Sequence, residues 1–449
     1  MLTTLVYWRW YRSTARALYN RVLAAPELTR PDAMKLPAIA LALAFSCLPA
    51  LAGEPDGLTL PPGFHATVVT EGLGPIRHLA IRGNGDIYVS TPKDGGGIIA
   101  LHLDAGHKAD QVQHFSNVDG GTGIRFYNGA LYASSQSAVY RFTFSGNALL
   151  PAKGPQIILD GMPVSHPGFN RVNRPIAFDG KGHLFVALDA SGNFCAASLT
   201  PPGAAPPLPV GLQPCPDLRT RAGIWRFDAS RTGQNFPADG ERFATGIRDM
   251  DALDWSPADG NLYAIMHGRD NSARLWPALI SAEDENHIAD EMHRVTRSTD
   301  FGWPYTYYDG ARKLRLVSPE YGGDGKKLAP SGLYSTPVVT FYSRRAAPLD
   351  LLFYSGTTFP ATYRGGAFIV LHGTGNVTGY NVVFVPFDRK GKAGEPTVFA
   401  DGFAAFDTSA ANRGPAKYRP TGAAVGPDGA LYISDSQKGR IWRIAWGNN

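Results

Sequence analysis

Three places in this chain gather side chains whose chemistry goes beyond that of an ordinary surface. Lys417 and Arg419 flank Tyr418. Alternate residues of an extended strand share a side, so this spacing aims two cations one way, as a carboxylate ligand requires; a solvated basic edge is the alternative. His166 sits in SHPGFNRVNRP, where Pro167 and Gly168 mark a loop. A loop imidazole with an ordinary pKa near neutrality suits a general base. Glu283, His287, Asp290, Glu291 and His293 cluster in sequence but lack the HExxH spacing that puts two histidines on one helix face. A solvated loop is expected there rather than a transition-metal site.

Positioning such groups falls to an element that recurs. An apolar strand, a turn with Gly or Asp-Gly, and a second strand holding an aromatic appear as HLAIRGNGDIYVST from His78, GIRFYNGALYASS from Gly123 and PIAFDGKGHLFVAL from Pro175. They return as ALDWSPADGNLYAIM from Ala252, LLFYSGTTFPATYRGGAFIVLHG from Leu351 and GAAVGPDGALYISD from Gly422. The turns supply residues that tolerate positive φ, and the strands carry β-branched and aromatic side chains. Six hairpins spread over more than 340 residues predict an all-β fold, a six-bladed β-propeller in one domain over residues 58–447. FHATVVT from Phe64 is expected to close the ring beside the last blade. The widest gap, between Tyr263 and Phe368, leaves room for loops or another hairpin. With 51 Gly and 35 Pro, many tight turns are expected and little helix.

The formal charge of +5 has a local source. Residues 1–52 hold six basic groups and only two acids, so the remainder is nearly neutral and no nucleic-acid partner is indicated. From Met34, MKLPAIALALAFSCLPALAG reads as a signal peptide, with an Ala50-Leu51-Ala52 site and a mature start near Gly53. Its apolar run is short and interrupted by Pro49, so no stable membrane span is expected, and a periplasmic or secreted location follows. Cys195 and Cys215 then remain in an oxidising compartment and are expected to pair across a Pro-rich loop, a closure worth on the order of 3 kcal/mol in the chain-entropy model.

Several segments, in this order, resemble the glucose/sorbosone dehydrogenase family: RAGIWRFD from Arg221, FATGIRD from Phe243, HGRDN from His267, DFGWPYTYYDG from Asp300, DLLFYSG from Asp350, YRGGAFIVLHG from Tyr363 and RPTGAAVGPDGALYISD from Arg419. The resemblance spans roughly Leu60 to Ile444. It implies a six-bladed propeller that uses pyrroloquinoline quinone (PQQ) with Ca²⁺ to oxidise a sugar, sugar aldehyde or polyol. Electrons would go to a separate acceptor such as a cytochrome or quinone. PQQ bears three carboxylates and an ortho-quinone, so its pocket needs cations, oxygen ligands for Ca²⁺ and a base. By this resemblance Arg248 lies beside the quinone with Asp249 next to it, and Lys417 and Arg419 hold cofactor carboxylates. Gly268 and Arg269 present carbonyls to Ca²⁺, with Asp270 as an added carboxylate.

Three departures stand out. Arg171 lies near the position where relatives carry a base histidine, which leaves His166, five residues earlier, as the expected base. Arg345 in RAAPLD replaces another histidine. HGTGNV keeps His372 and Asn376 but lacks the family's Trp and Arg. Arginine cannot act as a base at ordinary pH, although Arg171 and Arg345 suit a tricarboxylate. A non-catalytic binding propeller is therefore the second reading, and Ca²⁺-dependent lactone hydrolysis the third.

Overall fold

The computed structural model describes residues 57–447 except 92–96, 117, 119, 165–172, 197–209, 343–345, 375–377 and 406–414. Antiparallel sheets built on four strands form the six blades. Blade 1 comprises Leu79–Ile81, Ile87–Thr91, Gly97–Leu103 and Ala109–His114; blade 2 comprises Gly120–Tyr127, Ala130–Ser135, Val139–Phe142 and Gln156–Asp160. Blade 3 uses Ile176–Phe178, His183–Leu188, Gly223–Asp228 and Glu241–Thr245, and blade 4 uses Ala252–Ser256, Asn261–Met266, Asp290–Val295 and Val339–Phe341. Blade 5 is Pro348–Phe353, Ala367–Leu371, Asn381–Val385 and Thr397–Ala400. Blade 6 has Pro420–Val425, Leu431–Asp435 and Ile441–Trp446, and takes its outer strand, Phe64–Thr70, from the other end of the chain. Phe64 pairs opposite Trp446, so the ring closes as the sequence predicts.

Of the loops or hairpin expected in the widest gap, the structure has a hairpin. Thr306–Asp309 pairs with Leu314–Val317 between the third and fourth strands of blade 4, which accounts for the uneven spacing without adding a blade.

Each blade is apolar on both faces because both are covered by neighbours. All five residues of Ile87–Thr91 are buried, and Phe64, Phe359, Phe368, Phe399 and Trp442 share one core between blades 5 and 6. Removing such a side chain from water contributes roughly 1.5–3 kcal/mol.

Hydrogen bonds tie blades 2 to 6 each to the next blade round the ring. Ser134 Oγ donates to the Arg174 carbonyl at 2.7 Å, Asp189 accepts from the Met250 N–H at 2.9 Å, and Asp254 accepts from the Phe353 N–H at 2.8 Å. Asp350 accepts from the Ala423 N–H at 2.9 Å, and Ser434 Oγ donates to the Arg77 carbonyl at 2.6 Å. These bonds fix the strand entrances, from which the candidate site is built.

Cys195 and Cys215 are joined, with Cα atoms 6.0 Å apart, as expected. The signal-like segment lies outside the described residues. Among those described, no helix is long and apolar enough to cross a membrane.

Candidate functional site

On one face of the ring, first strands begin and second strands end, so residues just before the former and just after the latter share a mouth. Arg77, His78, Asn173, Arg248, Asp249 and Arg419 come from the beginnings; Asp189, His267 and His372 come from the ends. Chain reversal thus gathers residues far apart in sequence.

Arg248 spreads its guanidinium over three acceptors. Nε donates to Asn193 Oδ1 at 2.7 Å, Nη1 to the Gly268 carbonyl at 2.8 Å and Nη2 to Asp270 Oδ2 at 2.6 Å. Asn193 also accepts from the Asp270 N–H at 2.9 Å and donates to the Asp270 carbonyl, while its own carbonyl accepts from Trp303 Nε1 at 3.1 Å. Asn193 stands two residues before the disulfide, so the cross-linked loop anchors the cage around Arg248.

Asp249 accepts from Asn173 Nδ2 at 2.5 Å and lies 3.6 Å from His267 Nδ1. Burial raises its carboxyl, but the hydrogen bond and charge of His267, with help from Arg248 and Asn173, hold it far below the usual carboxylate range. His267 shows the reverse: burial pulls its imidazole down, yet Asp249, Asp290 and Asp251 lift it to about 10. Its Nε2–H donates to the Pro348 carbonyl at 2.7 Å. His267 is therefore a cation at neutral pH, and Asp249 is neutralised within the protein. Burial also pushes the carboxyls of Asp189, Asp251 and Asp290 upward, which weakens their negative charge beneath the mouth.

Arg419 turns inward and donates through Nη2 to His372 Nδ1 at 2.8 Å and to the Gly373 carbonyl. A guanidinium cannot accept, so His372 Nδ1 accepts and Nε2–H faces Ser436 Oγ at 2.8 Å. With both nitrogens engaged, His372 orients Arg419 instead of serving as a base. Lys417 does not join them. It is exposed, its ammonium 5.2 Å from the centroid of the Tyr418 ring on the rim, where Arg440 covers the same ring. The shared direction expected from alternation is overridden by packing on Tyr418.

Of the residues assigned to a cation, the Gly268 carbonyl and the Asp270 carboxylate are both held by Arg248. The Arg269 side chain points elsewhere, into a buried ion pair with Glu320 at 2.8 Å and onto Phe194, 4.7 Å from its centroid. Among the described residues no cluster of three His, Cys, Asp or Glu side chains forms a metal site. The solvated loop expected at 283–293 is instead a short helix, Ala282–His287, followed by a core strand in which Glu291 and His293 are buried. His166, Arg171, Arg345 and Asn376 lie outside the described residues.

Sequence reasoning missed Arg77, His78, Asn173, Asn193 and His267. His78 Nε2–H donates to the Leu349 carbonyl at 2.6 Å, leaving its buried Nδ1 without a partner. Asn173 Oδ1, Asp251 Oδ1 and Thr421 Oγ1 are likewise buried and unmatched, each at the entrance of a first strand. Buried polar atoms of this kind ordinarily meet a guest or ordered water.

Residues 329–447 match the TrAA12-like family model. That segment contains Arg345, His372, Asn376, Lys417 and Arg419, so the resemblance read from the sequence is borne out in the segment where five of the eight expected cofactor contacts lie. No curated protein matches the chain. Among solved structures, the PQQ domain of pyranose dehydrogenase from Coprinopsis cinerea in holo form is 17% identical with a TM-score of 0.67, covering 87% of this chain and 98% of that one. A calcium structure of the Trichoderma reesei family AA12 enzyme is 16% identical with a TM-score of 0.66, covering 89% and 100%. The PQQ-bound aldose sugar dehydrogenase of Streptomyces coelicolor is 17% identical with a TM-score of 0.53, covering 86% and 99%. The TrAA12-like segment thus covers the outer strand of blade 4, all of blade 5 and three strands of blade 6 within a propeller these structures share.

Proposed function

We propose that this chain is an exported PQQ-dependent oxidoreductase that removes two electrons from a sugar, sugar aldehyde or polyol and passes them to a separate acceptor such as a cytochrome or quinone. The observation that carries this reading is the convergence of Arg248, His267 and Arg419 with Arg77 at one mouth, beside unmatched buried polar atoms. That donor set fits an anionic, carbonyl-rich guest.

Bound PQQ would supply the two-electron acceptor. Arg419, braced by His372, would bind a cofactor carboxylate, and Arg248 would polarise the quinone side while Asn193 fixes its orientation. Lys417 would steer anions from the rim. Asn173 keeps the Asp249 charge turned inward. His166 is proposed as the base that accepts the hydroxyl proton, and Arg171, Arg345 and Asn376 as further cofactor contacts. Ca²⁺ would take the Gly268 and Arg269 carbonyls with Asp270, provided that Arg248 yields its hold on Gly268 and Asp270.

That hold also favours the second reading, a propeller that binds a ligand without turnover, because the protein itself occupies each of the three guanidinium nitrogens. Assaying aldoses and polyols with an artificial electron acceptor separates the two. The first reading predicts turnover only after PQQ and Ca²⁺ are added, and a loss of about 10² to 10⁴ in His166→Ala. Absence of PQQ binding together with absence of turnover of any such substrate would favour the second.

A further inference from the structure

The opposite face of the ring carries a trough that this chemistry does not use. There the first and second strands of every blade but the fifth are joined by short turns. A cavity of about 600 Å³ lies among the turns of blades 2, 3 and 4, lined by Arg125, Tyr127, Lys181, Asp254 and Trp255 among others. A cavity of about 440 Å³ between blades 1 and 2 shares Tyr127 with it, and one of about 540 Å³ on blade 3 shares Lys181. The three thus lie side by side, each with a volume in the size range of small-molecule sites.

Flat rings and planar polar groups dominate the lining. Tyr127 lies parallel to Phe178 with centroids 4.4 Å apart, and Trp255 lies near-parallel to Phe185 at 6.1 Å. Each ring is thus braced by a neighbour, which lowers the entropy lost when a guest settles on it. Lys181 holds its ammonium 5.9 Å from the Trp255 ring centroid. Arg125 Nε is buried without a partner, and the Asp254 carboxyl is met by backbone N–H groups. Amides of Asn84, Asn128 and Asn147 line the far end.

A polyanion would need one sign of charge, whereas acids and bases alternate here. An apolar helix would need an aliphatic groove, which the lining does not supply. A pyranose offers C–H faces to the rings and hydroxyls to amide, carboxyl and guanidinium groups. We propose that this trough binds a neutral carbohydrate chain. The proposal does not depend on the dehydrogenase reading.

Calorimetric titration of the full mature chain with α-1,4- and β-1,4-linked gluco-oligosaccharides of increasing length tests it. Affinity should rise with chain length for one of the series and then level off once the trough is filled. Trp255→Ala should weaken binding about tenfold. Lys181→Ala, at an exposed position that does not support the fold, should weaken it measurably, and the fold of both variants is checked by thermal melting. Absence of binding by either series would overturn the proposal. So would binding unchanged in both variants, which would move the sugar to the other face. Turnover with PQQ is read in a separate assay, so either idea can fail without the other.

Discussion

Arg125 on blade 2 and Asp350 on blade 5 form an ion pair at 3.0 Å, although their blades stand opposite one another in the six-membered ring. The pair spans the centre of the propeller. Asp350 also accepts from the Ala423 N–H of blade 6, so one carboxylate ties three blades together. Arg125→Ala would leave that buried carboxylate without its guanidinium, held by the Leu351 and Ala423 N–H groups. The expected cost is about 3–5 kcal/mol, read as a lower urea midpoint. A midpoint equal to that of the parent would show that the pair contributes nothing.

Asp254 lies nearby and gives stability a pH dependence. Burial pushes its carboxyl up to about 6, with Arg125 opposing. The folded form therefore holds the proton more tightly than the unfolded chain does. This site is most favourable to folding below the ordinary Asp range, and its contribution falls as pH rises towards 6 and beyond. Asp254→Asn keeps an acceptor for the Phe353 N–H and removes the charge. At pH 7.5 it should stabilise the protein by on the order of 2 kcal/mol, with little effect near pH 4. Equal changes at both pH values would contradict this assignment.

Breaking the Cys195–Cys215 link by Cys195→Ser with Cys215→Ser should cost about 3 kcal/mol. Asn193→Ala should cost less in stability but release Arg248 and Asp270, which both bond to Asn193. PQQ affinity should then fall while the melting temperature changes little. An unaltered affinity would remove Asn193 from the positioning of Arg248.

The blades were legible in the sequence because each repeats short apolar runs around a turn, as in GAAVGPDGALYISD, and burial on both faces enforces such continuous runs. The disulfide followed from the count of cysteines. The site was only half legible. Arg248 and Arg419 stand in motifs, but Asn193 and Asn173 act through partners brought near by blade closure, and no local spacing encodes that. Lys417 shows the limit of alternation, since packing on Tyr418 sends it to the rim.

Export has its own check. Mass spectrometry of periplasmic material should find an N-terminus near Gly53, whereas an intact N-terminus in the cytoplasm would refute the location.

The cations at the mouth are proposed to hold PQQ, and the decisive measurement is a titration of PQQ into the purified mature chain with Ca²⁺ present, followed by cofactor absorbance. Saturable binding is expected, weakened by about 1.5–3 kcal/mol in Arg419→Ala, the range for a hydrogen bond to a charged group. Absence of saturable binding by the parent chain, or full affinity in Arg419→Ala, would contradict the account.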